Sequence, residues 1–97
     1  MANSDALYQL CYDLATAWYT QGHTERALHY WRQSSLLDPQ APAAHYWSGR
    51  ASQDLRRFAE ARQHYRRLRQ INPNYSDVSH RLASIDAQQS NSAQMPH

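Results

Sequence analysis

Six histidines and one cysteine are the side chains of this sequence best suited to catalysis or metal binding. They are scattered, and the chain contains no H-E-x-x-H motif and no Cys/His cluster with metal-ligand spacing. Cys11 falls in the apolar stripe of a predicted helix, which favours a small buried hydrophobe over a nucleophile. With two glycines, the chain also has no glycine-rich phosphate loop. We therefore predict no catalytic residue, no metal site and no cofactor.

The basic side chains are the second chemical feature of the sequence. All ten are arginines, and seven of them lie between residues 50 and 69, against the carboxylates of Asp54 and Glu60. The first forty residues have the opposite imbalance, with four carboxylates and two arginines. Such asymmetry bears on association and partner choice rather than on fold. The candidate basic patch comprises Arg56, Arg62, Arg66, Arg67 and Arg69.

Length and composition limit the class of protein. Ninety-seven residues make one domain, and a chain with two glycines and four prolines, rich in Ala, Leu, Gln and Arg, favours helices over a turn-rich sheet. A single cysteine forms no internal disulfide, so nothing indicates an oxidising compartment. No apolar run approaches the roughly 18 residues of a membrane span. The N-terminus lacks the basic region of a secretory signal. We expect a cytoplasmic protein.

Apolar residues at three- and four-residue spacing predict five helices, at residues 4–20, 24–37, 42–54, 58–70 and 75–87. Gly22 permits the first reversal, and Asn74 with Asp77 resembles a capping pair for the fifth helix. The predicted buried stripe of the first helix comprises Leu7, Leu10, Cys11, Leu14 and Trp18. Residues 89–97 are polar and carry no apolar stripe, so we predict a disordered tail.

Two segments of the chain repeat one another. ALHYWRQSSLLDP begins at Ala27 and ARQHYRRLRQINP begins at Ala61; in each, an aromatic residue follows four places later. A proline comes eight residues after the aromatic, and these two prolines, Pro39 and Pro73, are 34 residues apart. Self-similarity at that period indicates a repeat architecture.

The positions before these segments fit the same period. They are Cys11, Leu14, Ala15 and Trp18 in the first unit and His45, Ser48, Gly49 and Ser52 in the second. The spacing resembles the tetratricopeptide repeat, a 34-residue helix–turn–helix with the pattern W-x2-L-G-x2-Y, then A-x3-F, then P. The resemblance implies an all-α, right-handed α-solenoid of two helix–turn–helix repeats, at about 8–41 and 42–75, closed by a solvating helix. The predicted domain spans residues 1–88.

The resemblance also implies a function, because arrays of this family generally bind a peptide or helix of another protein in a concave groove lined by the first helix of each hairpin. Carried over position by position, the groove residues are Gln9, Tyr12, Thr16, Tyr19 and Thr20 of the first hairpin, Ala43, Tyr46, Arg50, Gln53 and Asp54 of the second, and His80 and Ser84 of the closing helix. With Trp47 added on separate grounds, the candidate partner-binding residues are Tyr12, Thr16, Tyr19, Tyr46, Trp47, Arg50, Gln53 and His80. Aromatic residues and arginine are the types that dominate interface energy. The lysines with which some members of the family grip a partner's terminal carboxylate are absent.

Trp47 leaves two interpretations open. Its counterpart in the first hairpin is Asp13, a position expected to face solvent. An indole at such a position is either an anchor for a partner or a flat surface covered by an arginine.

Three partner classes follow from the sequence. The first is another protein. In this hypothesis the chain is an adaptor or small assembly factor that binds a peptide or helix of the partner, and in one version that segment is acidic. The second is another copy of the chain, in a scaffold that joins the acidic first hairpin to the basic second hairpin. The third, nucleic acid, is disfavoured because seven arginines on two helices do not define a groove reader. No membrane partner is expected.

Overall fold

The computed structural model describes the backbone of residues 3–94 and the side chains of residues 3–90. It contains five helices, and within the described residues no strand. They are α1 (Ser4–Thr20), α2 (Thr24–Leu37), α3 (Pro42–Asp54), α4 (Phe58–Ile71) and α5 (Val78–Gln94). Each helix packs mainly on its neighbours in sequence, and the molecule extends for 55 Å along its longest axis. The predicted all-α helical repeat solenoid is confirmed.

Local sequence explains where the helices begin. The Asn3 side chain accepts a hydrogen bond from the Asp5 backbone N–H at 3.0 Å and caps α1. Pro42 begins α3, where its missing N–H leaves no acceptor unsatisfied. Asp38 and Asn72 directly precede Pro39 and Pro73. The side chain of each accepts a hydrogen bond from the backbone N–H two residues later, at 3.2 Å in both.

The two hairpin turns share one backbone geometry but place different residues in the left-handed position. In the first, His23 N–H donates to the Trp18 carbonyl at 2.9 Å, which places Gly22 in the left-handed region with φ 86°. In the second, Arg57 N–H donates to the Ser52 carbonyl at 2.8 Å, and Arg56 takes the left-handed position with φ 60°. The predicted role of Gly22 in the reversal agrees with this turn.

The fifth helix differs from its prediction at both ends. It begins at Val78 rather than at position 75, because Ser76 has φ 50° and Tyr75 lies in a turn; Asn74 bonds back to Asn72 instead of pairing with Asp77. It continues through Gln94, so residues 89–94 are helical where the sequence predicts a disordered tail. Alanine and glutamine favour helix, and no glycine or proline interrupts the segment before residue 96. Residues 95–97 lie outside the described residues.

The core consists of two clusters. In the first, Ala15 of α1 packs with Ala27, Leu28 and Trp31 of α2 and Ala51 of α3. The second lies between the last three helices and comprises Tyr46, Ala61, Tyr65, Leu68, Val78 and Ile85. Trp47 packs against both clusters and therefore joins the two hairpins.

The predicted buried stripe of α1 is wrong. Leu7, Leu10 and Leu14 are 40%, 56% and 38% exposed, while Cys11 and Trp18 are half-buried and Ala15 is fully buried. Helical spacing identifies an apolar stripe, but it does not say which side of α1 the neighbouring helices cover. Here α1 turns its alanine and tyrosines towards α2 and α3 and leaves the leucines outside.

Candidate functional site

A cavity of about 220 Å³ opens between α1 and α3. Tyr12, Thr16, Tyr19 and Thr20 line it from α1, and Trp47 lines it from α3, while Trp31 of α2 contributes the remaining wall. The 3.6-residue period of α1 places its four lining residues one turn apart on one side. The cavity thus unites four of the sequence-predicted partner-binding residues: Tyr12, Thr16, Tyr19 and Trp47.

The cavity walls are aromatic rings held against one another. Trp31 and Trp47 stack with ring centroids 5.5 Å apart and an interplanar angle of 21°. Tyr19 lies 5.3 Å from Trp31 and 5.9 Å from Trp47, and Tyr12 meets Trp31 edge-on at 6.4 Å. Mutual packing of this kind fixes the ring orientations, because each ring occupies the space that its neighbour would need to rotate.

Trp31 is the wall residue that sequence reasoning missed. Its place in the repeat pattern assigns it to the core, and it is only 1% exposed. Its indole Nε1 is buried with no hydrogen-bond acceptor in the described part of the chain. A buried N–H without an acceptor costs about 1–3 kcal/mol. The sequence signal was a tryptophan where the repeat pattern has phenylalanine, because only the indole brings a donor that needs a partner.

The alignment with Asp13 predicts a solvent-facing Trp47, and the structure contradicts this prediction. Trp47 is half-buried between the two clusters, and the Arg50 guanidinium lies 5.2 Å above its ring. Trp47 therefore has an arginine cover on one side and forms a cavity wall on another. The position differs from that of Asp13 because α3 packs between α2 and α4, whereas α1 packs mainly on α2.

Arg50 is a cation stacked on the Trp47 wall, although it is not itself among the residues that line the cavity. Its guanidinium lies 6.0 Å from the Tyr46 ring as well as 5.2 Å from that of Trp47, and its buried Nε has no hydrogen-bond partner. Arg50 forms no salt bridge with any carboxylate among the described residues. Asp54, one turn along α3, accepts a hydrogen bond from the Tyr19 hydroxyl at 2.5 Å.

The two cavity tyrosines act as neutral hydrogen-bonding groups. Burial raises the pKa of the Tyr12 hydroxyl and that of the Tyr19 hydroxyl, and the hydrogen bond to Asp54 raises the latter further. Both hydroxyls therefore keep their protons at neutral pH, and neither adds a negative charge beside Arg50.

Tyr46 and Gln53 lie inside the molecule rather than on the groove surface. Each is 7% exposed. The Tyr46 hydroxyl donates to Asp77 at 2.7 Å, and Arg81 donates to the same carboxylate at 3.2 Å. Burial would raise the pKa of Asp77, but the Tyr46 hydrogen bond and the Arg81 charge outweigh it and lower that pKa. Tyr46 therefore contacts Arg50 through its ring but does not line the cavity.

The Gln53 side chain connects α3 to α5 through buried polar contacts. Its amide nitrogen donates to Gln88 at 2.8 Å and to Ser84 at 3.3 Å, and its oxygen accepts from the Tyr65 hydroxyl at 3.2 Å. This network holds the last helix in place and leaves Gln53 little capacity for a ligand. His80, on α5, is exposed and does not line the cavity.

The arginines of the predicted basic patch are spread over several contacts. Arg62 pairs with Asp86 at 2.9 Å and also donates to Gln89, while Arg67 donates to Gln70 at 3.2 Å. The Arg56 guanidinium lies 5.2 Å above the Phe58 ring. Arg66 and Arg69 are exposed. The structure therefore does not gather the five arginines around one depression.

Other charged pairs join the two hairpins. Arg32 of α2 forms a two-pronged ion pair with Glu60 of α4, and Arg57 donates to Glu25 at 2.6 Å. His64 adds a contact with Glu60 at 3.2 Å. Because the Arg32 hydrogen bond outweighs burial, the pKa of Glu60 is lowered, and burial lowers that of His64.

A second depression, of about 360 Å³, lies at the outer end of the first hairpin turn. Its lining includes Gly22, His23, Glu25 and Arg26, all of them exposed. Despite its larger volume, it has no aromatic enclosure and no buried unpartnered group of its own. We therefore take the aromatic cavity as the candidate site.

Groups suited to metal chemistry do not converge in the described residues, where no three or more His, Cys, Asp or Glu side chains form a metal-binding group. Across the same residues, no helix is both long and apolar enough to cross a membrane.

The tetratricopeptide repeat family model matches residues 12–76, about two thirds of the chain. The chain therefore belongs to the tetratricopeptide repeat family. Repeats of this family generally mediate protein–protein interaction, and the family is typically a non-catalytic interaction module. No curated protein matches the chain.

Proposed function

We propose that this chain is a protein–protein interaction module, an adaptor or small assembly factor that binds a peptide or helix of a partner in a groove formed by α1, α3 and α5. The observation that supports it most directly is the aromatic cavity between α1 and α3, which is concave, largely apolar and bordered by a cation. The cytoplasm as the working location belongs to the same proposal.

The cavity suits a partner's side chain. Aromatic walls supply a large contact area at a low entropic cost, because their orientation is already set by mutual packing. The exposed Thr16 and Thr20 stand at its edge on α1 and leave the cavity open to a segment lying across the helix. Such a segment would cross from α1 to α3, where Arg50 lies.

A peptide-display selection on the purified protein tests the proposal. Enriched peptides are added to ¹⁵N-labelled protein, and we expect the amide shifts to concentrate on α1 and α3 around the cavity. Thr16→Lys should reduce peptide affinity at least tenfold by filling the cavity mouth, since an apolar pocket loses its contacts and gains a charge to desolvate. Gln33→Lys, an equally exposed position on α2, adds the same charge away from the site and serves as the control.

The outcome that would overturn the proposal is a set of peptides whose shifts map to the outer side of α2 and α4, or whose affinity falls equally in both lysine variants. A selection that enriches no binder would count against it as well.

Self-assembly through unlike ends remains a prediction of the sequence. The ion pairs Arg57–Glu25 and Arg62–Asp86 use, within one chain, charges on which that assembly would rely. We therefore do not favour it over peptide binding.

A further inference from the structure

The size of the aromatic cavity limits its occupant. Pockets for whole small molecules are typically about 300–1,000 Å³. The cavity here, at about 220 Å³, is smaller than that range and matches one bulky side chain rather than a separate ligand. The inner surface of the cavity is largely apolar. One of its walls is Trp31, whose indole N–H has no hydrogen-bond acceptor among the described residues.

Near the cavity, the carboxylates of Asp54 and Asp77 have hydrogen-bond partners, whereas the cation stacked on the Trp47 wall has no ion pair within the described chain. Asp54 is hydrogen-bonded by Tyr19, and Asp77 is hydrogen-bonded by Tyr46 and paired with Arg81. Arg50 lies over the Trp47 wall and forms no ion pair within the described chain. Its stacked position removes water from one side of the guanidinium, which strengthens its attraction for an incoming carboxylate.

A second stacked arginine in the same molecule shows what the first adds. Arg26 lies 4.7 Å above the Trp18 ring, so it has the same cation–π contact as Arg50. It stands at the outer hairpin turn, however, and not beside the aromatic cavity. The combination of an apolar cavity and an unpaired cation occurs, among the described residues, at Arg50.

We propose that the cavity recognises a partner segment with a bulky apolar side chain and a neighbouring carboxylate, the side chain entering between Tyr12, Tyr19, Trp31 and Trp47 and the carboxylate binding Arg50. This inference rests on the proposed function and adds the chemical class of the partner. The carboxylate is supplied by an aspartate or glutamate side chain within the partner's segment, since the chain lacks the lysines that grip a terminal carboxylate.

A small-molecule pair isolates the two halves of this recognition. 3-Phenylpropionate carries a phenyl ring and a carboxylate, and 3-phenylpropionamide has nearly the same shape without the charge. Each is titrated into ¹⁵N-labelled full-length protein while the three indole N–H resonances are followed. We expect the resonances of Trp31 and Trp47 to shift with both probes, and that of Trp18 to remain as an internal control. The acid should bind at least about threefold more tightly than the amide.

Arginine variants assign the preference for the acid to one side chain. Arg50→Gln should remove the difference between acid and amide while leaving amide binding in place. Arg26→Gln, which removes the other stacked arginine, should leave the difference unchanged. Circular dichroism monitors folding in both, and the comparison of acid with amide on the unaltered protein does not depend on either variant.

Two peptide pairs separate the sources of the carboxylate. The first compares acetyl-Gly-Ser-Phe-Asp-Ser-Gly-amide with its asparagine version, and the second compares acetyl-Gly-Ser-Gly-Phe with a free end and the same peptide amidated. Tighter binding of the acid in the first pair supports the side-chain carboxylate, and an acid preference in the second pair alone would overturn it in favour of a chain end.

Equal affinity of acid and amide throughout, or an acid preference that survives Arg50→Gln, would overturn the inference. So would shifts as large at Trp18 as at Trp31 and Trp47, or the absence of any probe binding. Display-selected peptides that bind the cavity with no preference for carboxylates would leave the proposed function standing and remove this inference alone. Peptides that bind only the outer side of α2 and α4 would remove both.

Discussion

The two hairpins of this protein have the same framework and differ in what covers them. Leu10, Ala44 and Val78 stand 34 residues apart at equivalent places on α1, α3 and α5. Ala44 is fully buried and Val78 is 1% exposed, because α2 and α4 pack against them, whereas Leu10 is 56% exposed. Equivalent repeat positions therefore need not be equally buried, because their burial depends on the preceding helix.

The same comparison explains the different residues in the two cores. The first hairpin pairs Ala15 with the larger ring of Trp31, and the second pairs Gly49 with Tyr65 at the corresponding places. A methyl group on Gly49 would lie 2.6 Å from Tyr65 Cε1, well inside contact distance. Tyr65 is fully buried and hydrogen-bonded to Gln53, so its ring is held in that position.

The largest difference should appear between the closing helix and the first hairpin, at Leu82 of α5 and Leu14 of α1, which are the same residue type at equivalent positions. Leu82→Ala removes a side chain packed against the second cluster and should lower the free energy of unfolding by about 2 kcal/mol. Leu14→Ala should lower it by less than about 0.5 kcal/mol, since Leu14 lies at the surface. Urea unfolding measures both. Equal losses would show that the outer face of α1 is covered in solution.

Gly49→Ala should destabilise the protein by about 1–2 kcal/mol, because overpacking against Tyr65 outweighs the better helix propensity of alanine. The matched change in the first hairpin, Ala15→Gly, should cost about 1 kcal/mol from helix propensity and lost contact. Thermal unfolding of the two variants tests the comparison. A stabilised Gly49→Ala protein would mean that the Tyr65 ring can move aside.

A further difference between the two hairpins should appear at their turns. Gly22→Ala places a side chain at φ 86° and should cost about 1 kcal/mol, although nothing lies within 4 Å of the added methyl group. Arg56→Gly relieves the same backbone conformation but loses the contact with Phe58 and makes the unfolded chain more flexible. Its stability should stay within about 0.5 kcal/mol of the parent protein. A loss as large as that of Gly22→Ala would contradict the comparison.

The helix bounds were largely predictable because capping residues and prolines act locally. Gly22, Pro39, Pro42 and Pro73 mark reversals or helix ends in the sequence, and the first four helices agree with the structure to within one residue. The start of α5 was not predictable from the Asn74 and Asp77 pattern. The Asn74 backbone N–H donates to the Asn72 side chain, and the Asp77 carboxylate accepts from the Tyr46 hydroxyl, so the two residues do not pair with each other.

The candidate site was only partly predictable. The repeat register selected Tyr12, Thr16, Tyr19 and Trp47, which the structure brings to one cavity. It also selected Tyr46 and Gln53, which are 7% exposed because α5 closes over them, and it assigned Trp31 to the core alone. The binding roles of the cavity residues and of Arg50 stay predictions, which the probes and variants above address.

The sequence by itself determined the repeat, because the 34-residue spacing of its alanines, aromatics and prolines is sufficient to specify successive helical hairpins. Only the tertiary structure decided which apolar stripe became core and which stayed outside. Burial depends on the helix that packs against a face, and that helix lies elsewhere in the chain. For the same reason, only the fold placed Arg50 over the Trp47 wall of an aromatic cavity and left it, among the described residues, without a carboxylate in an ion pair.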